Sequence, residues 1–454
     1  MLKKLLLLLT LICSLHLSAG EKVVKSNPRH RILVSTDIGG TDPDDNQSMI
    51  HLLMYANEFD IEGLVSSPSF GEGSKEEILR MIDEYELDLP KLQRGLKASG
   101  IAGVYPSPDE LRAITKQGRK SLAPLKGYDT PTEGSEWIVE CARRKRNSVE
   151  TDNRPLWVLV WGALEDVAQA LHDAPNIADN IRIYWIGGPN KKWGSNAYNY
   201  IVENFPNLWF VENNASYRGF IGSANDQSLY QAAYWPTFMK GAGVMGDDFI
   251  NYYKGIVKMG DTPSLLYLMS GDAENPQGEH WGGSFIPMST SPKYIIDGPL
   301  CTADTVPVYS LMEWRLKGPS EGVAIDSVGF ILTIDRQNWE GRYEGDGIYT
   351  VRYSPKAPAR LPYTISSTLP GFPEHKGEFV AGNEWPGEKK FGHSSPTITP
   401  VPVKLGKTWF TDRLDFTSAD GKPSKWQGTA SIAKWREEIL RDWAERWKWL
   451  KDAK

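Results

Sequence analysis

The chain has 454 residues, with 51 Lys and Arg against 57 Asp and Glu and a formal net charge of −6. That length allows two or three domains around a large core, and an acidic balance without a basic block argues against nucleic acid as a partner. Beyond the N-terminal apolar segment the only cysteines are Cys141 and Cys301, too few for a disulfide framework or a zinc site.

In chain order, residues 1–19 open with Lys3 and Lys4, run apolar from Leu5 to Leu17 and end on small residues, the pattern of an export signal peptide. No later stretch is long and apolar enough to span a bilayer, so the mature chain is expected to be secreted or periplasmic, with no membrane partner. From Arg31 to about residue 300, strand-like runs alternate with helical ones. Strands are predicted at 32–35, 61–65, 156–161, 181–186 and 208–211, and helices at 75–85, 134–144, 164–172 and 197–204. This is an α/β pattern, implying a mostly parallel sheet with helices on both faces. Trp157, Trp161 and Trp185 fall in or beside these strands and are assigned to the core. After residue 302 the texture changes to short β pieces at 306–315, 328–334, 347–353 and 361–365, read as a small β-sandwich. A Pro/Gly-rich segment at 384–424 reads as an extended arm. The terminal helix at 431–451 carries Trp435, Leu440, Trp443 and Trp447 on one stripe, expected to dock on the protein body. The domains read as 30–300, 303–404 and 405–454.

The densest chemistry lies directly after the first strand, where Asp37, Asp42, Asp44 and Asp45 fall within nine residues. A Gly-rich turn would let the chain fold back into a helix, gathering these carboxylates at the C-terminal end of a strand, where open α/β sheets hold ligands. Carboxylates this close repel unless a cation or shared protons compensate. Calcium suits several carboxylates plus carbonyls better than magnesium does. The simpler alternative is that Asp44 or Asp45 merely caps the helix beginning near Asn46.

Five patches in this order resemble the nucleoside hydrolase superfamily: the 37–45 loop, Val158-Leu159-Val160-Trp161-Gly162-Ala163-Leu164-Glu165-Asp166, Ile186-Gly187-Gly188, Asn196-Ala197-Tyr198-Asn199-Tyr200, and Gly260-Asp261-Thr262-Pro263-Ser264. Thr36-Asp37-Ile38-Gly39-Gly40 with Asp42-Pro43-Asp44-Asp45-Asn46-Gln47-Ser48 is similar, more closely, to the exported nucleoside-hydrolase-like family described as cellulose-binding. The resemblance spans about residues 30–300. It implies a nucleoside-hydrolase-like fold in which Asp37, Asp45, the Glu165 carbonyl and Asp261 hold Ca2+, and Asp44 and Asn199 grip the sugar. Asp37 would also serve as general base for the attacking water, a role that fits elementary glycoside chemistry. Relatives of this kind are commonly oligomeric, which leaves a homo-oligomer open.

Three departures qualify the likeness. The first loop is longer than the usual Asp-x-Gly-x-Asp-Asp, Ala197 replaces a sugar-contacting glutamate, and Gly260 stands where many nucleoside hydrolases carry a leaving-group histidine. His280 or Glu279, in a nearby loop, is the candidate substitute. Residues 306–313 and Asp346-Gly347-Ile348-Tyr349-Thr350-Val351-Arg352-Tyr353 resemble the immunoglobulin-like β-sandwich that precedes some secreted glycoside hydrolase barrels. The expectation is therefore a secreted, calcium-dependent hydrolase of a glycosidic bond, acting on a carbohydrate or nucleoside-like molecule, with loss of the histidine favouring carbohydrate. The rival is a non-catalytic carbohydrate-binding protein that uses calcium as a sugar-hydroxyl clamp, and a structural surface protein is the third reading.

Overall fold

The computed structural model describes residues 29–144, 153–382, 395–418 and 420–451. The signal peptide read at 1–19 lies outside them, as does part of the arm. Six parallel strands form the frame: β1 (Arg31–Thr36), β2 (Asp60–Ser66), β3 (Thr115–Gln117), β4 (Leu156–Val160), β5 (Ile181–Ile186) and β6 (Trp209–Asn213). Their order is β3-β2-β1-β4-β5-β6. Strand order reverses between β1 and β4, so their C-terminal ends open the crevice in which doubly wound sheets bind ligands. Every residue of β1, β4 and β6 is buried, as expected of parallel strands covered on both faces. Trp157, Trp161 and Trp185 are core residues, as their apolar context implied.

Beyond β6 the sheet continues with Trp409–Asp412, parallel to β6, and then with Phe285–Pro287, antiparallel. Residues read from sequence as an extended arm thus supply an inner strand, held by Trp409 stacked on Phe210 at 4.4 Å. Helix α1 (Asp44–Met54) follows β1, and α2 (Lys75–Ser99) runs through Pro90, fourteen residues past the predicted stop at Tyr85. Proline weakens a helix interior but does not end this one, because Leu92 and Leu96 beyond it are buried in the core. The terminal helix Arg436–Leu450 docks against α2 as expected, with Trp443 and Trp447 fully buried and Trp443 stacked on Tyr234 at 5.8 Å.

The second sheet has nine strands, mostly antiparallel. The strand predicted at 306–315 is two strands, Thr305–Pro307 and Leu311–Lys317, because Tyr309 takes a positive φ of 61°. Hydrogen bonding runs through a single sheet that curls. Four strands separate Leu311–Lys317 from His375–Gly382 in the sheet order, yet the Trp314 and Phe379 rings lie 6.0 Å apart. One apolar core continues from the lower face of the first sheet into this curl, joining Trp185 and Tyr198 to Tyr353 and Trp314. Cys141 is a buried free thiol and Cys301 an exposed one. No helix among the described residues is long and apolar enough to cross a membrane.

Candidate functional site

Asp37 directly follows β1. Its carbonyl accepts from the Gly40 N–H at 2.9 Å, and Gly39 takes the φ of +84° that closes the turn. The Thr36 hydroxyl accepts from Ile38 N–H at 3.1 Å and donates to Asp45 Oδ1, aligning that carboxylate. Asp44 and Asp45 occupy the first turn of α1, but Pro43 holds the N-cap position and no side chain caps the helix. Their carboxylates are therefore not engaged as caps, and the dipole at this end favours negative charge. From β4, Gly162 allows close approach, since a Cβ there would stand 3.0 Å from the Asp37 Cβ. Asp261 precedes helix Thr262–Met269 and arrives at the same crevice.

One oxygen each from Asp44, Asp45 and Asp261 lies within 4.8 Å of the others, the only such His, Cys, Asp or Glu grouping of metal-binding shape among the described residues. Asp37 stands beside Asp45 and completes a four-carboxylate cluster. Burial, and then the Asp44 charge, push the Asp37 carboxyl up to about 7. Burial and neighbouring carboxylates raise Asp44, Asp45 and Asp261 as well. Lys258 offsets part of this charge from the rim, bonding to Asp42 and lying 3.8 Å from Asp44 Oδ2. Asp261 Oδ2 is buried without a hydrogen-bond partner. An all-carboxylate donor set with an orphaned oxygen fits a hard divalent cation, and without thiolate or imidazole it does not fit zinc.

These carboxylates form one wall of a cleft of about 370 Å³. Trp161 and Ile186, from two of the sequence patches, also line it, whereas sequence reasoning missed Phe70, Asn190, Trp193, Arg218 and Lys356. Asn190 donates to the Trp161 and Ile186 carbonyls at 2.6 and 2.9 Å, which fixes the turn after β5. The Gly187-Gly188 pair just before it was the available signal. Arg218 comes from the turn after β6, packed 4.0 Å from the Trp426 ring, and Lys356 reaches over from the second sheet. Burial, and then Arg218, hold the Lys356 ammonium below its ordinary range. Phe70 and Trp193 form the mouth, their ring centroids 5.1 Å apart.

Asn199, Glu165, Glu279 and His280 do not line this cleft. Asn199 donates to Glu203 at 3.0 Å and accepts from Lys293 at 2.9 Å, inside a charged network that also holds Glu313. Glu165, whose carbonyl was the expected backbone ligand, stands outside the cleft lining, and its side chain is buried and accepts from Ala123 N–H at 3.2 Å. His280 is buried against Tyr267, and its ring nitrogens face the carbonyls of Ser270, Tyr267 and Asn275 at 2.7, 3.2 and 3.0 Å. Glu279 is exposed and pairs with Lys434. The loop that carries both is thus tied down away from the carboxylates.

A family model described as "Cellulose-binding Sde182, nucleoside hydrolase-like domain" matches residues 31–285. Among solved structures, a nucleoside hydrolase-related hypothetical protein from Saccharophagus degradans, associated with carbohydrate metabolism, is 16% identical with a TM-score of 0.47, covering 78% of this chain and 100% of that one. An inosine-uridine preferring nucleoside hydrolase from Bacillus anthracis is 15% identical with a TM-score of 0.36, covering 57% and 85%. A purine-preferring ribonucleoside hydrolase from Gardnerella vaginalis is 13% identical with a TM-score of 0.33, covering 57% and 83%. No curated protein matches the chain. Because the family model spans more than half of the sequence, the chain belongs to the family described as the cellulose-binding, nucleoside hydrolase-like domain.

Proposed function

We propose that this protein is an exported, calcium-dependent hydrolase of a glycosidic bond in a carbohydrate. The observation that carries the reading is the carboxylate cluster at the switch point of the sheet, with Asp45 and Asp261 buried, Asp37 and Asp44 half-buried, and Asp261 Oδ2 left without a hydrogen-bond partner. Asp45, Asp261, Asp37 and Asp44 would hold the cation between them. Once bound, calcium would supply positive charge to grip two vicinal sugar hydroxyls and to acidify a water. Asp37, at the end of β1, would accept that water's proton. Thr36 keeps Asp45 aligned, and Asn190 holds the facing turn rigid. The family description as cellulose-binding supports a carbohydrate over a nucleoside.

A second reading, binding without cleavage, has its own support. Gly260 offers no side chain, and neither His280 nor Glu279 lines the cleft, so this reading assigns no residue to protonate a leaving group. Calorimetry with Ca2+ and cellobiose, together with turnover on aryl glycosides, separates the two. Asp261→Asn should abolish both calcium and sugar binding. Asp37→Asn should lower turnover by on the order of a thousandfold if Asp37 is the general base. Calcium-linked sugar binding without any turnover would favour the binding reading, and absence of both would sink the two together.

A further inference from the structure

A second cavity, of about 680 Å³, adjoins the carboxylate cleft, and Phe70 and Trp193 line both. Its walls come from two parts of the fold: the 119–125 loop on the first sheet's side, and strands Val328–Ile334, Gln337–Gly345 and Ile348–Tyr353 of the curled sheet. We infer that the two spaces form one continuous binding groove whose outer part takes a neutral oligosaccharide chain extending from the sugar held at the carboxylates. This rests on the carbohydrate reading of that cleft and adds the direction and chemistry of the rest of the ligand.

Three features point this way. Phe70 is 49% exposed at the junction, its ring 5.1 Å from Trp193, and Trp193 Nε1 donates to Gln337 Oε1 at 3.3 Å, which braces the pair from the curled sheet. The exposed Phe70 ring, backed by the half-buried and braced Trp193, offers a flat apolar face to a sugar ring at the junction of the two cavities. Charge in the outer cavity cancels. Its lining holds three arginines, Arg119, Arg342 and Arg352, and three carboxylates, Asp129, Asp326 and Glu340. Arg119 pairs with Asp129 at 3.0 Å, Arg342 with Glu340 at 2.5 Å, and Arg352 with Glu313 at 2.7 Å. Nothing there would draw in a phosphate or uronate chain, whereas paired charges and the exposed Asn338 suit hydroxyl groups. Finally, a cavity of this size is in the range that encloses a drug-sized ligand, roughly 300–1,000 Å³. Added to the inner cleft, it exceeds what a lone nucleoside fills.

The test is calorimetry of the full mature chain in saturating Ca2+ with cellobiose, cellotetraose, cellohexaose and inosine, on wild type and on Asn338→Trp, which would fill the outer cavity far from the carboxylates. A calcium titration of each protein reports that the fold is intact. Affinity should rise about tenfold or more from cellobiose to cellohexaose, equivalent to about 1.4 kcal/mol, and Asn338→Trp should bring that ratio close to one. Equal affinity at every length, or a length gain that survives Asn338→Trp, overturns the groove while leaving the calcium and sugar site intact. Inosine binding without oligosaccharide binding overturns both, as does calcium binding without any sugar.

Discussion

Gly260 lies so close to Asp44 that a Cβ built on it would stand 2.4 Å from Asp44 Oδ2. The Asp44 carboxylate, from the first turn of α1, therefore occupies the space that a side chain at position 260 would need. Asp44 and the residue at 260 are alternatives in space. Gly260→Ala should rotate Asp44 out of the cluster and weaken Ca2+ affinity by about 10- to 100-fold, the usual cost of disturbing a metal site's immediate support. Isothermal titration with Ca2+ measures this. Unchanged affinity would mean that Asp44 does not contribute to cation binding.

The pH dependence has a definite sign. In the cation-free fold the Asp37 carboxyl titrates at about 7 in place of its ordinary 3.8, chiefly because it is buried and secondly because Asp44 is charged. The folded state thus keeps a proton that the unfolded chain has lost, and that contribution to stability is lost as pH rises from about 4 to about 7. A cation takes the place of the proton, so the rise in melting temperature produced by Ca2+ should grow across the same window. Thermal melts with and without Ca2+ check this, and a calcium effect that shrinks toward neutral pH would contradict it.

Asp412, on the strand contributed by the C-terminal region, caps the turn that leads into the cleft. Its Oδ2 accepts from Asn214 and Ala215 N–H at 3.0 and 2.8 Å, and its Oδ1 accepts from Ser216 N–H and Oγ at 3.1 and 2.6 Å. Burial pushes this carboxyl up to about 7 against the pull of those bonds. Asp412→Ala would strand several buried donors and should cost about 3 kcal/mol, whereas Asp412→Asn keeps an acceptor and should cost less. Urea melts decide the matter. The same variant should weaken sugar binding, because Tyr217 and Arg218 follow directly after the capped turn. A drop in stability with no change in sugar affinity would show that the turn does not position them.

Much of the fold was legible because its signals are local. The alternation of apolar runs with amphipathic helices is repeated along 270 residues and survives errors at individual boundaries, so the doubly wound sheet could be read directly. Asp37, Asp44 and Asp45 were legible for the same reason, since strand, Gly turn and helix are contiguous in sequence. Asp261 came from resemblance, and the crevice brings it to them. Other elements lacked a local signal. Strand Trp409–Asp412 is four residues long in a Lys- and Gly-rich context, and what makes it a strand is the pairing with β6 and the stacking on Phe210.

The amino-acid sequence alone determined the order of elements and the concentration of acid at the end of β1, because hydrophobic periodicity and turn chemistry act over a few neighbouring residues. Tertiary structure alone decided which distant side chains share the cleft. Phe70, Arg218 and Lys356 sit on separate segments, Asn190 and Trp193 share the short helix Gly188–Trp193, and nothing in their own neighbourhoods encodes their meeting. His280 makes the same point in reverse: nearness in sequence to a site means little once Tyr267 and three backbone carbonyls enclose the ring. Burial and hydrogen-bond satisfaction over the whole chain, summed across contacts hundreds of residues apart, set those positions.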